Sequence, residues 1–231
     1  MRLKGRTALV TGGNRGIGIE VCRQLGLEGA RILLGSRDPA KGESSADRLR
    51  ADGIEIRMVQ IDMSDPQSVL LFTERLAEHV DILVNNAAVL DRGHLYALDE
   101  EQLHYTIRTN LLGPVLLAKH LARRMEEHRW GRIVNVTSGM GSMSRGLGSD
   151  SVAYRLSKLA LNGFTVCLAE AVRGSGVLVN SVDPGWVRTE MGGSMAHKTP
   201  QEGAKGIVWA VLLPDPGPTG CFFRDGKKVN W

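Results

Sequence analysis

Residues that mark disulfide-bonded or metal-binding proteins are scarce in this sequence. Its three cysteines, Cys22, Cys167 and Cys221, are odd in number and far apart. They therefore form neither a disulfide framework nor a set with the spacing of metal ligands. We interpret them as small hydrophobic residues in a reducing compartment, and we predict no metal site.

Long apolar runs are also missing. No segment approaches the ~20 apolar residues that a transmembrane helix requires. The first five residues lead directly into a strand pattern and contain no apolar stretch with a cleavage site, so no signal peptide is predicted. We expect a cytoplasmic protein without a membrane partner.

The charges form no block of one sign. Lysine and arginine number 29 against 25 aspartates and glutamates, a formal net charge of +4. Arg123 and Arg124 are closely followed by Glu126 and Glu127, a pattern typical of a solvated helix face. We therefore expect no nucleic-acid partner, and part of the basic excess is available to a phosphorylated cofactor.

What the sequence does contain is a regular alternation of apolar, strand-like runs and helical patterns. Its length suits one α/β domain, predicted over residues 1–231. Strands are predicted at Thr7–Val10, Arg31–Gly35, Ile56–Gln60, Asp81–Val84, Arg132–Val136 and Val177–Val182. Helices are predicted at Gly18–Gly26, Ala40–Ala51, Pro66–Glu78, Leu103–Met125 with a bend near Gly113-Pro114, and Tyr154–Val172. This order indicates a parallel sheet covered on both faces, and right-handed crossovers make it a doubly wound Rossmann fold.

A glycine-rich turn, Thr11-Gly-Gly-Asn-Arg-Gly-Ile-Gly18, separates the first strand from the first helix. This context is typical of a dinucleotide-binding site. Gly12 permits the tight turn, Gly16 lets the backbone approach a pyrophosphate, and Gly18 allows close packing of the helix. The free N–H groups at the helix start favour phosphate. The predicted cofactor-binding residues here are Gly12, Asn14, Arg15, Gly16, Ile17 and Gly18.

The end of the second strand bears on the choice of dinucleotide. An NAD-binding protein usually offers an acidic side chain to the ribose at this place, whereas this sequence has Ser36 followed by Arg37. Arg37, with Arg15 from the glycine turn, suits a 2′-phosphate because a guanidinium keeps its charge and donates paired hydrogen bonds. We predict NADP(H). The alternative is that both arginines are surface charges and Asp38 binds the ribose of NAD.

A candidate catalytic group lies in the second half of the chain. Tyr154 and Lys158 are four residues apart at the start of a predicted helix, so they share a face. A cation beside a phenol lowers the tyrosine pKa, which would let Tyr154 exchange protons near neutral pH. Ser138 follows a strand at the sheet edge where ligands bind. The Tyr–Lys spacing alone also fits a solvated helix pair, and Asn110 is either a site residue or a structural one.

Taken in order, these motifs resemble the short-chain dehydrogenase/reductase family, classical type, over nearly the whole chain. The resemblance is carried by the glycine turn, Asn85-Asn86-Ala87-Ala88, Asn110, Ser138, Tyr154-Arg-Leu-Ser-Lys158 and Pro184-Gly-Trp-Val-Arg-Thr189. Ala88 departs from the glycine that the family often has. Ser36-Arg37-Asp38 and the final residues, from Gly220 to Trp231, are similar to the carbonyl-reductase-like branch. The resemblance implies a parallel seven-stranded sheet flanked by helices on both faces.

The resemblance also implies a role for each catalytic candidate. Tyr154 is expected to protonate the carbonyl oxygen as hydride arrives, and Ser138 to orient that oxygen. Lys158 is expected to bind the nicotinamide ribose and lower the pKa of Tyr154, and Asn110 to hold a water in a proton relay. The implied reaction is NADPH-dependent reduction of an aldehyde or ketone to an alcohol. The alternatives are NAD-dependent alcohol oxidation at the same site and a non-catalytic dinucleotide-binding sensor.

Further cofactor contacts follow from the same resemblance. They are Asp62, Met63, Asn86, Val187 and Thr189, together with Tyr154 and Lys158. Val187 and Thr189 are expected to bind the nicotinamide carboxamide and so to select the ring face that meets the substrate. Asp62 either contacts the adenine or caps the turn at Ser64.

The substrate lid of this family corresponds to Glu190–Lys198, a short segment with two glycines and two methionines. It is either an ordinary loop or a mobile lid over a permissive pocket, and we expect a small or medium apolar carbonyl or alcohol substrate. The resemblance favours a homodimer or homotetramer packed through the predicted helices Leu103–Met125 and Tyr154–Val172. The helical insert of monomeric carbonyl reductases is absent here.

Overall fold

The computed structural model describes all 231 residues, and one eight-stranded sheet runs through them. The strands are β1 (Thr7–Thr11), β2 (Arg31–Ser36), β3 (Ile56–Gln60), β4 (Ile82–Asn85), β5 (Gly131–Val136), β6 (Val177–Asp183), β7 (Cys221–Arg224) and β8 (Lys227–Val229). The helices are α1 (Gly16–Leu27), α2 (Pro39–Ala51), α3 (Pro66–Arg75), α4 (Glu100–Ile107), α5 (Gly113–Glu127), α6 (Val152–Ala171) and α7 (Pro200–Val211).

The strand order is β3-β2-β1-β4-β5-β6-β7-β8, and the first seven strands in the chain all run parallel. This confirms the predicted doubly wound fold. Strand β8 was not predicted, and it pairs antiparallel with β7. The two strands are joined by Asp225 and Gly226, whose φ angles are 51° and 73°. Asp-Gly is favoured in such two-residue hairpins because both positions require positive φ.

Side chains that alternate along the strands supply two apolar layers, one on each face of the sheet. On one face, Ala8 and Val10 belong to a buried cluster with residues of α1, α2 and α7. On the other, Leu9 belongs to a cluster with residues of α3, α5 and α6. Burial on both faces explains the nearly continuous apolar strands. None of the helices combines the length and apolar character needed to cross a bilayer.

Two predicted helices differ from the observed ones. The helix predicted to reach Glu78 ends at Arg75, because Leu76 adopts an extended backbone and is buried in the core. The long helix predicted over Leu103–Met125 is α4 and α5 joined by a π-helical turn, Arg108–Leu112. Pro114 has no N–H to donate to the carbonyl four residues earlier, which favours the wider turn.

The packing of the core predicts that two leucines of α1 contribute very differently to the free energy of unfolding. Leu25 is fully buried, whereas Leu27 is 62% exposed. Leu25→Ala should lower the free energy of unfolding by about 2–5 kcal/mol, because it removes buried surface and leaves a cavity. Leu27→Ala should change it by less than about 1 kcal/mol. Urea unfolding of both variants checks this, and equal losses would contradict the packing described for α1.

Candidate active site

The carboxyl ends of the parallel strands line one cleft of about 1240 Å³. The strand order reverses between β1 and β4, the point at which doubly wound sheets bind ligands. Every predicted site residue except Gly18 and Asn110 lines this cleft: Gly12, Asn14, Arg15, Gly16, Ile17, Arg37, Asp62, Met63, Asn86, Ser138, Tyr154, Lys158, Val187 and Thr189. The fold therefore brings together residues that are scattered along the chain.

The glycine turn depends on positions where a side chain would not fit. Gly12 has a φ of 62°, a conformation that L-residues rarely adopt. A Cβ at Gly18 would lie 2.2 Å from the carbonyl oxygen of Gly12, so Gly18 packs the helix against the turn instead of lining the cleft. Asn86 steadies the same turn, because its Nδ2 donates to the carbonyl oxygens of Thr11 and Gly12 at 2.9 and 3.2 Å.

The first turn of α1 is suited to an anion. Arg15 precedes the helix and its side chain provides no cap. In contrast, the starts of four other helices are capped by the side chains of Asp38, Asp65, Asp99 and Thr199. The uncapped N–H groups and the helix dipole of α1 therefore favour phosphate beside Gly16 and Ile17, which line the cleft. These residues fit the pyrophosphate of a dinucleotide.

Arg37 extends from the end of β2 towards α4. Its Nη1 donates to the hydroxyl of Tyr105 at 2.7 Å, and Arg37 lines the cleft. Asp38, the ribose ligand in the NAD alternative, instead caps α2 by accepting the backbone N–H of Lys41 at 3.1 Å. Ser36 is buried and donates to the Asp38 carbonyl oxygen at 2.9 Å. At the end of β2, the Arg37 guanidinium and not the Asp38 carboxylate therefore lines the cleft.

Asp62 caps the turn that follows β3. Its Oδ1 accepts hydrogen bonds from the backbone N–H and the hydroxyl of Ser64, at 2.9 and 2.7 Å, as in an Asx turn. Asp62 and Met63 also line the cleft. The capping role is therefore observed, and contact with adenine stays a prediction.

Ser138, Tyr154 and Lys158 meet at the end of β5. The Nζ of Lys158 donates to the carbonyl oxygen of Val136, the last residue of β5, at 2.8 Å. The same Nζ lies 5.6 Å from the centroid of the Tyr154 ring. Ser138 lies two residues after Val136, and its Oγ accepts a hydrogen bond from the backbone N–H of Met140 at 3.1 Å. Helix α6 and strand β5 thus present an ammonium, a phenol and a hydroxyl to one cleft.

Burial controls the acid–base behaviour of this group. It lowers the pKa of Lys158 to about 7. It also raises the pKa of Tyr154 to about 12, against the opposing hydrogen bond with Ser138 and with a contribution from the Asp183 carboxylate. Burial thus disfavours the charged forms of both groups, and the expected lowering of the Tyr154 pKa by Lys158 stays a prediction. Tyr154 is a neutral phenol at pH 7.

Asn110 lies outside the cleft, in the π-helical turn, and is fully buried. Its Oδ1 accepts the N–H of Val89 at 2.8 Å, and its Nδ2 donates to the Val89 carbonyl oxygen at 2.8 Å and to Ser157 Oγ at 3.1 Å. The side chain therefore ties the segment after β4 to α6. The water relay expected of Asn110 stays a prediction.

Sequence reasoning missed two carboxylates that shape the site. The Oδ1 of Asp91 accepts the backbone N–H of Tyr154 at 2.8 Å and so caps the start of α6. Asp183, the last residue of β6, is buried and accepts the N–H of Gly185 at 2.8 Å. Asp91 is 63 residues from its partner, so no local pattern could reveal the cap. Asp183 could have been predicted as a site residue, because it stands at the end of a strand next to Pro184-Gly185.

The segment predicted as a lid contacts both sides of the cleft. Glu190 forms an ion pair with Arg15 of the glycine turn, and the Met191 carbonyl oxygen accepts from Nη2 of Arg92 at 2.6 Å. The methyl group of Thr189 lies 3.2 Å from the place where a Cβ of Gly16 would be. The predicted carboxamide clamp therefore lies directly against the phosphate turn.

Comparison with known proteins points to one family. A family model described as short chain dehydrogenase matches residues 6–200. The 3-oxoacyl-[acyl-carrier-protein] reductase FabG of Pseudomonas aeruginosa is 35% identical over 195 residues, which cover 83% of this chain and 77% of that protein. Carbonyl reductase [NADPH] 1 of Sus scrofa is 31% identical over 277 aligned positions, 98% of this chain and 94% of the relative.

Solved structures agree with the sequence relatives. A short chain dehydrogenase/reductase family protein superposes with a TM-score of 0.89 at 32% identity and covers 97% of both chains. A single-residue variant of actinorhodin polyketide ketoreductase, solved with NADPH, gives a TM-score of 0.87 at 28% identity over 95% of each chain.

The buried lysine predicts an unusual dependence of stability on pH. With a pKa of about 7 in the folded chain and about 10.4 when unfolded, Lys158 binds more protons in the unfolded state between these two values. Its contribution to the free energy of unfolding should therefore rise with pH, by about 1 kcal/mol per pH unit, across this window. The variant Lys158→Met should lack this term.

Urea unfolding of both proteins at pH 7 and pH 9.5 checks the prediction, because titrations common to the two proteins cancel. We expect Lys158→Met to be more stable than the wild type at pH 7 and to lose this advantage at pH 9.5. A difference that is the same at both pH values would mean that Lys158 is not buried.

Proposed function

This chain belongs to the short-chain dehydrogenase/reductase family, and we propose that it reduces an aldehyde or ketone to an alcohol with NADPH. The observation that carries the proposal is the meeting of Ser138, Tyr154 and Lys158 in the cleft that also contains the glycine turn. The family is one of oxidoreductases that bind a nicotinamide dinucleotide, which supports the reaction type.

The proton chemistry favours reduction. Tyr154, with a pKa of about 12, is protonated at pH 7 and can donate to the oxygen of a carbonyl as negative charge develops there. The Ser138 hydroxyl, adjacent to the phenol, orients the same oxygen by a hydrogen bond. When bound, NADPH supplies the hydride for the carbonyl carbon and leaves as NADP⁺. One hydride and one proton then convert the carbonyl to an alcohol, and solvent restores the proton of Tyr154.

Lys158 has two tasks in this scheme. Its bond to the Val136 carbonyl oxygen orients the ammonium towards the space beside Tyr154. There it can donate to ribose hydroxyls, and its positive charge would stabilise the phenolate left after proton transfer.

The preference for NADPH over NADH rests on charge. Arg37 is held by Tyr105 at the end of β2, and Arg15 lies on the neighbouring glycine turn. A 2′-phosphate beside Arg37 would receive charge-assisted hydrogen bonds, and Arg15 would join it by exchanging its ion pair with Glu190 for the phosphate. Two relatives point the same way, since one is named carbonyl reductase [NADPH] and one ketoreductase was solved with NADPH.

A tyrosine variant tests the reaction. Tyr154→Phe should lower the rate of NADPH oxidation with a carbonyl substrate by about 10²–10⁴-fold, because the general acid is lost. Binding of NADPH, followed by calorimetry, should remain within a few fold of the wild type. The control is Tyr96→Phe, a change at a residue that is 93% exposed. Unchanged turnover in Tyr154→Phe would show that Tyr154 is not the proton donor. If the wild type bound NADPH but reduced no carbonyl substrate, the protein would instead be a dinucleotide sensor.

An arginine variant tests the cofactor. Arg37→Ala should weaken NADPH binding about 10–100-fold, since a hydrogen-bonded charge pair is lost, and should leave NADH binding nearly unchanged. Arg57→Ala, at an exposed position on β3 away from the cleft, serves as the control. If Arg37→Ala weakened the binding of NADPH and NADH equally, Arg37 would not be a ligand of the 2′-phosphate.

A further inference from the structure

The part of the cleft away from the glycine turn is strongly basic. We call it the substrate half and define it by Arg92, Arg145, Asp150, Arg155, Trp186 and Arg224, all of which line the cleft with Ser138 and Tyr154. Four of these six residues are arginines. An apolar substrate does not require arginines in its pocket. What the pocket can bind therefore depends on which of these arginines are already paired with carboxylates of the protein.

Two of the four arginines are neutralised by the protein. Arg155 Nη2 donates to Asp150 Oδ1 at 2.9 Å, and its Nε donates to the Asp150 carbonyl oxygen at 2.7 Å. Arg224 Nη1 lies 3.5 Å from Asp183 Oδ2. These two pairs occupy Asp150 of the substrate half and the neighbouring Asp183 at the end of β6.

Arg145 has no such partner. Its guanidinium makes no hydrogen bond and no ion pair within the protein, although its Nη1 lies only 2.8 Å from the position that a Cβ of Gly139 would occupy. Gly139 is the residue after Ser138, so the guanidinium lies over the turn that presents the serine hydroxyl. Asp183 Oδ2 is 3.1 Å from the same point, yet it already faces Arg224 and forms no ion pair with Arg145.

The backbone that bears Arg145 is anchored. The N–H of Ser144 donates to the Trp231 carbonyl oxygen at 2.8 Å, and the Ser142 hydroxyl donates to the Asn230 carbonyl oxygen at 3.2 Å. The residues just before Arg145 are therefore held against the C-terminal residues Asn230 and Trp231. Arg92 is exposed and likewise has no carboxylate partner, because the acceptor of its Nη2 is the neutral Met191 carbonyl oxygen.

We propose that the carbonyl substrate of this protein carries an anionic group, a carboxylate or a phosphate, and that Arg145 binds this group while the carbonyl oxygen lies at Ser138 and Tyr154. This inference rests on the proposed function. A guanidinium forms two parallel hydrogen bonds with either anion, which fixes orientation as well as position. Because Arg145 overlies the residue next to Ser138, the anionic group and the carbonyl are separated by a short spacer. An acidic substrate would differ from the small or medium apolar one expected from the sequence.

Matched acids and esters test this inference. The probes are 4-oxopentanoate and 4-carboxybenzaldehyde, each with its methyl ester, and 3-oxobutylphosphonate as the phosphorus analogue of 4-oxopentanoate. We expect the wild type to reduce at least one acid with a kcat/KM about 10–100-fold above that of its ester, the value of one hydrogen-bonded ion pair. A higher kcat/KM for the phosphonate than for either carboxylate would assign the pocket to phosphate.

Variants of Arg145 identify the group responsible. Arg145→Gln should reduce the acid-to-ester ratio of kcat/KM to near one, and Arg145→Lys should retain part of it because the charge remains. Arg173→Gln, an exposed arginine near the opposite end of α6, should leave the ratio unchanged. Esters reduced as well as acids by the wild type, or a ratio that survives in Arg145→Gln, would overturn the inference.

Binding measurements keep this inference separate from the proposed function. Calorimetric titration of the NADP⁺-loaded protein with 4-hydroxypentanoate and its methyl ester needs no turnover. Tighter binding of the acid, lost in Arg145→Gln, supports the anion site even if no probe is reduced, whereas equal binding of acid and ester contradicts it. Absence of any NADPH oxidation with acids, esters and simple ketones alike would count against the proposed function alone.

Discussion

The hydrogen bond from the Lys158 ammonium to the carbonyl oxygen of Val136 is the contact on which the site depends. It joins α6, which carries Tyr154, to the end of β5, which leads into Ser138. Without it, the phenol and the hydroxyl would be placed only by the general packing of a helix on a sheet. With it, a buried cation is fixed beside the phenol at the sheet edge where a doubly wound fold binds its ligand.

The same contact has a thermodynamic cost, which supports the proposed role of Lys158 in the reaction. Burial of an ammonium with one carbonyl acceptor and no carboxylate partner lowers its pKa to about 7, which means that the fold disfavours the charged form. Tyr154 is displaced in the opposite direction. Two neighbouring groups with strongly shifted pKa values in a cleft are typical of an active site and not of a structural ion pair. Asp91 and Asn110 hold the backbone around them, at Tyr154 and Val89.

Much of the fold could be predicted because the signals are local. Apolar strands alternate with helical patterns, and glycines stand where the backbone needs positive φ or close approach, as at Gly12 and Gly18. The Asp225-Gly226 hairpin was equally readable, but the strands beside it are short. In contrast, the bond between Arg37 and Tyr105, the distant cap of Asp91 and the π-helical turn at Arg108–Leu112 depend on tertiary contacts. The direction of the Tyr154 pKa shift also required knowledge of burial, since spacing shows only that Lys158 is near.

A crystal structure of the complex with NADP⁺ would show directly where the nicotinamide ring lies relative to Tyr154 and Lys158. We expect the nicotinamide ring beside Tyr154, with the ribose hydroxyls in contact with Lys158 and the lysine still bonded to the Val136 carbonyl oxygen. A nicotinamide ring bound outside this cleft, or a Tyr154 hydroxyl that points away from it, would contradict the account.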